Sequence, residues 1–182
     1  MLVAITAVFA LSVPAFAQKI IVVDSAEILV KSQVGQHIDR QLKSIEASMS
    51  NELKTMTSPI EAEQKSLAAQ TKGMDAAALK GRPDLIKRVN ENRVKMAKFQ
   101  YEGQMKEREL MLTRNKAFEA VGKRIKTIID AVAREKSADV VMDRSSTIYI
   151  NPSVDMTQTV ISRLNSQMPT TPVSRERLPR QQ

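Results

Sequence analysis

His37 is the single histidine of this chain, and cysteine is absent. Thiol nucleophiles, disulfides and cysteine–zinc sites are therefore excluded, and one imidazole cannot build a multi-histidine metal centre. A Ser–His–Asp arrangement could draw only on His37, near the start of a long polar helical stretch, where a solvated surface imidazole is the ordinary outcome. No catalytic residue, metal ligand or cofactor site is assigned, and enzymatic chemistry is disfavoured. What the side chains offer instead is charge and adaptable apolar contact. From Lys80 to Lys126 fourteen lysines and arginines stand against six acidic residues, an excess equal to the formal net charge of +8 of the whole chain. From Lys31 to Leu79 six basic residues meet six acidic ones.

Such a basic stripe is either the solvated face that a long helix needs or an attraction to something anionic. The cations assigned to the second reading are Lys80, Arg82, Lys87, Arg88, Arg93, Lys95 and Lys98. Methionines add a polarizable surface that fits irregular partners. Met49, Met56 and Met96 fall on apolar packing positions, whereas Met74, Met105 and Met111 fall off them and are the candidates for partner contact. Nucleic acid is not expected as a partner, because Phe99 and Phe118 lie on the packing stripe and only Tyr101 is left for base stacking.

These residues are carried by two long helices. Apolar positions at Ile38, Leu42, Ile45, Met49, Leu53, Met56, Ile60 and Leu67 recur at steps of three, four and seven, a stripe of coiled-coil width. Pro59 interrupts it and should kink the helix or restart it with Ser58 as cap; the pattern resumes beyond it at the same phase, which favours a kink over a break. The return stripe reads Leu85, Val89, Met96, Phe99, Gly103, Leu110, Ala117, Val121, Ile125, Ile128 and Val132. Lys72-Gly73 and Lys80-Gly81-Arg82-Pro83 bracket the turn between them. The spacing predicts an antiparallel helical hairpin over 35–126, with its turn near 73–84.

A small body closes around the ends of this arm, from residues 18–34 and 127–168. Ile20-Ile21-Val22-Val23 reads as a buried strand, and Asp24-Ser25-Ala26-Glu27 as the capped start of a short helix. Ser32-Gln33-Val34-Gly35 should bend or break that helix. Strands are expected at Asp139–Met142 and again at Thr147–Ile150, and a last helix follows Asp155-Met156-Thr157-Gln158. Residues 169–182, rich in Pro, Thr and Arg, are expected to be disordered. The fold class is mainly α with a small β component, a coiled-coil arm inserted in a small β-containing oligomerisation body. Few aromatics and an isolated hairpin imply that association buries the remaining apolar surface.

Residues 1–17 differ in kind. An apolar run from Leu2 to Leu11, then Pro14 and Ala15-Phe16-Ala17, reads as a secretory signal with cleavage between Ala17 and Gln18. It is too short to span a membrane, although no Lys or Arg precedes it. The mature chain is expected to be exported and soluble.

The first strand with Asp24, the step Ser32-Gln33-Val34-Gly35, Ala138-Asp139-Val140-Val141-Met142-Asp143, and Ile148-Tyr149-Ile150-Asn151-Pro152-Ser153-Val154-Asp155-Met156-Thr157 together resemble the Skp/OmpH family of periplasmic chaperones. The resemblance covers about Lys19 to Leu164. It implies a homotrimer in the periplasm whose three arms enclose a cavity and hold unfolded outer-membrane proteins without ATP. Anionic lipid or lipopolysaccharide is a further partner class for the basic stripe. The competing expectation is a periplasmic coiled-coil structural or adaptor protein that binds a folded partner or the cell envelope.

Overall fold

A computed structural model describes residues 18–180; residues 1–17, expected to be a secretory signal, lie outside the described residues, and Gln18 is the first within them. Strand β1 (Ile20–Val23) is followed by helices α1 (Ser25–Lys31), α2 (Gln33–Thr71), α3 (Ala76–Lys80) and α4 (Pro83–Glu135). Strand β2 (Val140–Asp143), two 3-10 turns (Arg144–Ser146 and Pro152–Val154) and helix α5 (Thr157–Gln167) complete the order. The chain is mainly helical, with two long helices and one small sheet.

Helices α2 and α4 form the arm. Arg88 reaches Glu63, Asn92 reaches Ile60, and Lys106 reaches Glu52. As numbers rise on one helix they fall on the other, so the pair is antiparallel. At 39 and 53 residues, the helices run about 60 and 80 Å at 1.5 Å per residue. The extra length of α4 lies at its C-terminal end, where Ala117, Val121, Ile125, Ile128 and Val132 enter the body's core. There they meet Ile21, Val23, Ile28, Val34, Ile38 and the α5 residues Val160, Ile161 and Leu164.

Local chemistry sets the joints. Asp24 caps α1, its Oδ1 accepting from the Glu27 amide at 2.8 Å. Ser32, with ψ of 150°, ends α1 and caps α2, its Oγ accepting from the Gly35 amide at 3.1 Å. Gly35 is there for closeness. A Cβ at that position would stand 1.6 Å from the Leu29 carbonyl oxygen, so the end of α1 can approach the first turn of α2 only over a glycine. Across the sheet β1 pairs β2 in parallel, Ile20 opposite Val140 through Val23 opposite Asp143. On its other side Val22 makes a parallel bridge with Asp155, and the Met156 amide donates to the Val22 carbonyl at 2.8 Å. Thr157 finishes this junction, its hydroxyl accepting from the Asp24 amide at 2.9 Å. The run Asn151 to Thr157 is thus a sheet-closing device.

Helix α2 runs on through Pro59 without a break, so the alternative of a restart capped by Ser58 falls away. Proline removes the amide that would bond the Thr55 carbonyl, while Ser58 and Thr55 hydroxyls donate to the Lys54 and Asn51 carbonyls one turn back. The expected strand at Thr147–Ile150 is absent, and Ile148 and Tyr149 stand exposed. A strand needs a backbone partner; β1 is flanked by β2 and the Asp155 bridge, and residues 147–150 do not pair with the outer edge of β2. A second change concerns the tail. Residues 169–180 carry neither helix nor strand, yet they are pinned along α4 by named contacts rather than being disordered. The cause is electrostatic. Arg175 and Arg180 find carboxylates that the sequence alone places more than sixty residues away.

Candidate functional site

The distal third of the arm carries most of the cations assigned from sequence, but they do different jobs. Arg88 belongs to the hairpin. Its guanidinium grips Glu63 at 2.7 and 3.0 Å, and also reaches Ser66 and Gln70 at 3.2 Å. That bidentate grip holds the Glu63 carboxyl below its ordinary range and fastens α4 to α2. Arg82 turns onto Asp84 at 2.8 Å, closing the N-terminal turn of α4. Lys87 lies 3.9 Å from Glu91. Lys80, Arg93, Lys95 and Lys98 are exposed, and among the described residues they close no ion pair. Of the cations assigned from sequence, these four are the ones left without an ion pair among the described residues.

Beside them is an apolar surface that periodicity did not single out. Ile86 and Val94 (68 % exposed) sit eight residues apart on α4, with Asn90 between them and Lys87, Glu91 and Lys95 alongside. Positions 86, 90 and 94 share one helical face, adjacent to the seam of Leu85, Val89 and Asn92. The signal was present in the spacing of two aliphatic side chains off the seam. It was hidden because an apolar residue on a long helix reads as packing by default. A shallow groove of about 490 Å³ follows on the hairpin's flank, lined by Leu67, Val89, Met96 and Ala97.

The methionines separate as well. Met111 is 56 % exposed on α4, and Met74 is half-buried in the turn between α2 and α3. Met105 is only 7 % exposed. It belongs to a buried mid-arm stretch, which removes it from the contact surface. The stripe expected at Met96, Phe99, Gly103 and Leu110 is only half-buried there. The buried residues are instead Met105, Lys106, Glu109 and Thr113; the tail covers Glu109 and Thr113, and Lys106 turns onto Glu52 of α2. His37 bonds within its own helix, with the Gln41 amide 2.7 Å from its Nε2.

The body has its own exposed apolar set. Val140 and Val141 on β2, Ile20 on β1, and Ile148 and Tyr149 in the unpaired segment are exposed. Among the described residues, no helix is long and apolar enough to cross a membrane.

Comparison with known proteins agrees with this architecture. No curated protein matches the chain. A crystal structure of a candidate outer membrane chaperone, OmpH-like, from Caulobacter crescentus CB15 shares 26 % identity over 89 % of this chain and 92 % of that one, with a TM-score of 0.75. The family profile described as outer membrane protein (OmpH-like) matches residues 19–164, from the first residue before β1 to the middle of α5. The long hairpin, the small parallel sheet and the sheet-closing turn all fall inside that match, and the chain belongs to the OmpH-like outer membrane chaperone family.

Proposed function

We propose that the protein is an ATP-independent periplasmic holdase that captures unfolded outer-membrane proteins with its arms. The observation that carries this reading is the pairing of exposed Ile86 and Val94 with Lys87 and Lys95 on one face of the distal arm. Apolar segments of a client lie on the aliphatic centre. The lysines steer acidic chains toward it, an effect that weakens as salt screens the field. The same cations suit anionic lipid or lipopolysaccharide headgroups. Contacts of this kind are individually weak, and several arms engaging one chain multiply them.

The arms require an assembly. Ile148, Tyr149, Val140 and Val141 are the face through which three bodies join, and the unpaired segment at Thr147–Ile150 gains its missing strand partner from a neighbouring copy. Burial of this set would stabilise a trimer through about 25 cal/mol per Å² of apolar area removed from water.

Dilution of a urea-unfolded outer-membrane β-barrel into buffer, followed by light scattering, tests the holdase role. The protein should suppress aggregation at stoichiometric trimer ratios, and Ile86→Ser with Val94→Ser should weaken that suppression while circular dichroism stays unchanged. Aggregation that proceeds unaltered over a range of ratios would remove the holdase reading.

A further inference from the structure

Glu109 is the most buried charge on the arm, 1 % exposed in the middle of α4, and among the described residues the hydrogen bonds to its carboxylate come from the tail. Its Oε1 accepts from the Leu178 amide at 3.0 Å and from Arg180 Nη1 at 2.6 Å, and its Oε2 accepts from Arg175 Nη2 at 3.0 Å. Arg175 also donates to Glu52 on α2 at 2.6 Å, and Arg180 Nε donates to Glu102 at 3.0 Å. Thr113, buried one turn further, accepts from the Glu176 amide at 2.9 Å. The tail is anchored upstream by buried Thr171 and by Val173 against the core. From there it passes Thr113, then Glu109, then Glu102, toward the arm tip.

This is how a peptide site is built. Two guanidiniums five residues apart meet three carboxylates, and two backbone amides between them meet side-chain acceptors, so both charge and main chain are read. A charge as buried as Glu109 is sustained only while it is paired and hydrogen-bonded. The pairing is supplied by a segment outside the family match, which ends at residue 164. We propose that Glu52, Glu102, Glu109 and Thr113 form a receptor on the arm for a non-helical, arginine-bearing peptide segment. In the resting chain its own residues 171–180 occupy this receptor, so that the tail is an intramolecular competitor. An incoming unfolded chain with two suitably spaced arginines takes the same slot by displacing the tail. The slot is remote from the Ile86–Val94 face, and its test requires no client and no holdase activity.

The experiment uses the full chain and a fluorescein-labelled peptide of residues 169–182, followed by fluorescence anisotropy. A tethered competitor acts at an effective concentration of order millimolar, so a peptide of roughly 100 μM affinity should bind the unaltered protein about tenfold more weakly than its released counterpart. Arg175→Ala with Arg180→Ala releases the tail without changing the slot, and this variant should bind the peptide about tenfold more tightly than the unaltered chain. Adding Glu109→Gln should abolish that gain, and a peptide with alanine at both arginine positions should not bind. Equal affinity of the two proteins, absence of binding to the released variant, or equal binding of the arginine-free peptide each overturns the proposal. Hydrogen exchange on the unaltered chain supplies a second measurement. Amides of Glu176 and Leu178 should be protected, and exchange at the free-peptide rate would overturn the latch directly.

Discussion

Replacing Gly35 with alanine tests the joint that aims the arm. A Cβ there would stand 1.6 Å from the Leu29 carbonyl oxygen and 2.8 Å from its carbon, both backbone atoms, and 3.0 Å from Ser32 Oγ. Neither Leu29 atom can rotate away, so α1 and α2 must separate. Overpacking of this type costs about 1–3 kcal/mol. Separation also strains the Ser32 cap on the Gly35 amide, worth about 1 kcal/mol. Alanine returns about 1 kcal/mol of helix propensity in the same position, so steric cost wins and the net loss is about 1–3 kcal/mol. In a chain of this size that is a fall in Tm of roughly 3–10 °C. Gly103 and Gly122 provide the control, since both lie inside α4 and a Cβ at either meets nothing within 4 Å. Alanine at those two sites should stabilise by about 0.5–1 kcal/mol each. Thermal unfolding followed at 222 nm, at one fixed protein concentration because association shifts Tm, reads all three variants. A Gly35→Ala protein as stable as the unaltered chain, or a destabilised Gly103→Ala, would refute the argument that closeness at Leu29 selects glycine.

The remaining predictions concern charge and assembly. Arg175 and Lys106 hold the Glu52 carboxyl down at about 2; burial pushes Glu109 up, but Arg180, the Leu178 amide and Arg175 outweigh it and hold that carboxyl at about 2 as well. Both folded values lie below the ordinary 4.5, so the latch they provide is fully present above about pH 4.5 and is lost as pH falls toward 2. Carbon-13 NMR titration of the side-chain carboxyls should show it, and midpoints near 4.5 for both would contradict the tail contacts. Reversing charge at Arg93, Lys95 and Lys98 should slow capture of an acidic unfolded client at low salt and leave the Tm unchanged. Reversing Arg88 should instead loosen the arm tip, visible as faster amide exchange around Glu63; stopped-flow rates identical for both sets would remove the distinction. Ile148→Ser with Tyr149→Ser should reduce the mass measured by light scattering from that of the proposed trimer to that of a monomer, and an unchanged mass would dismiss this face as the interface.

Much of the arm was legible because it is local. The stripe from Ile38 to Leu67 specifies one helix face through its period, and Asp24 and Ser32 announce helix starts that their side chains then make. The sheet could be anticipated from the β-branched run Ile20–Val23, whose partner Val140–Asp143 has a similar composition. The phase of the Ile38 to Leu67 stripe carries past Pro59, and α2 does run on there, its neighbours' hydroxyls and the packing of Ile60 and Leu67 holding the helix together. Where pairing had to be weighed against distant chain, the reading failed. Thr147–Ile150 has strand composition but no partner in the single chain.

By itself, then, the sequence determined the two helices, the charge asymmetry between them, and the lack of thiol and multi-histidine chemistry, all properties of residue type and near-neighbour spacing. Tertiary structure decided which charges remain available. It spent Arg88 on Glu63 and left Lys80, Arg93, Lys95 and Lys98 in solvent. It also brought Arg175 and Arg180 onto Glu52, Glu102 and Glu109. Coulomb attraction depends on distance in space, and no period along the chain records that the last residues return to the middle of the arm.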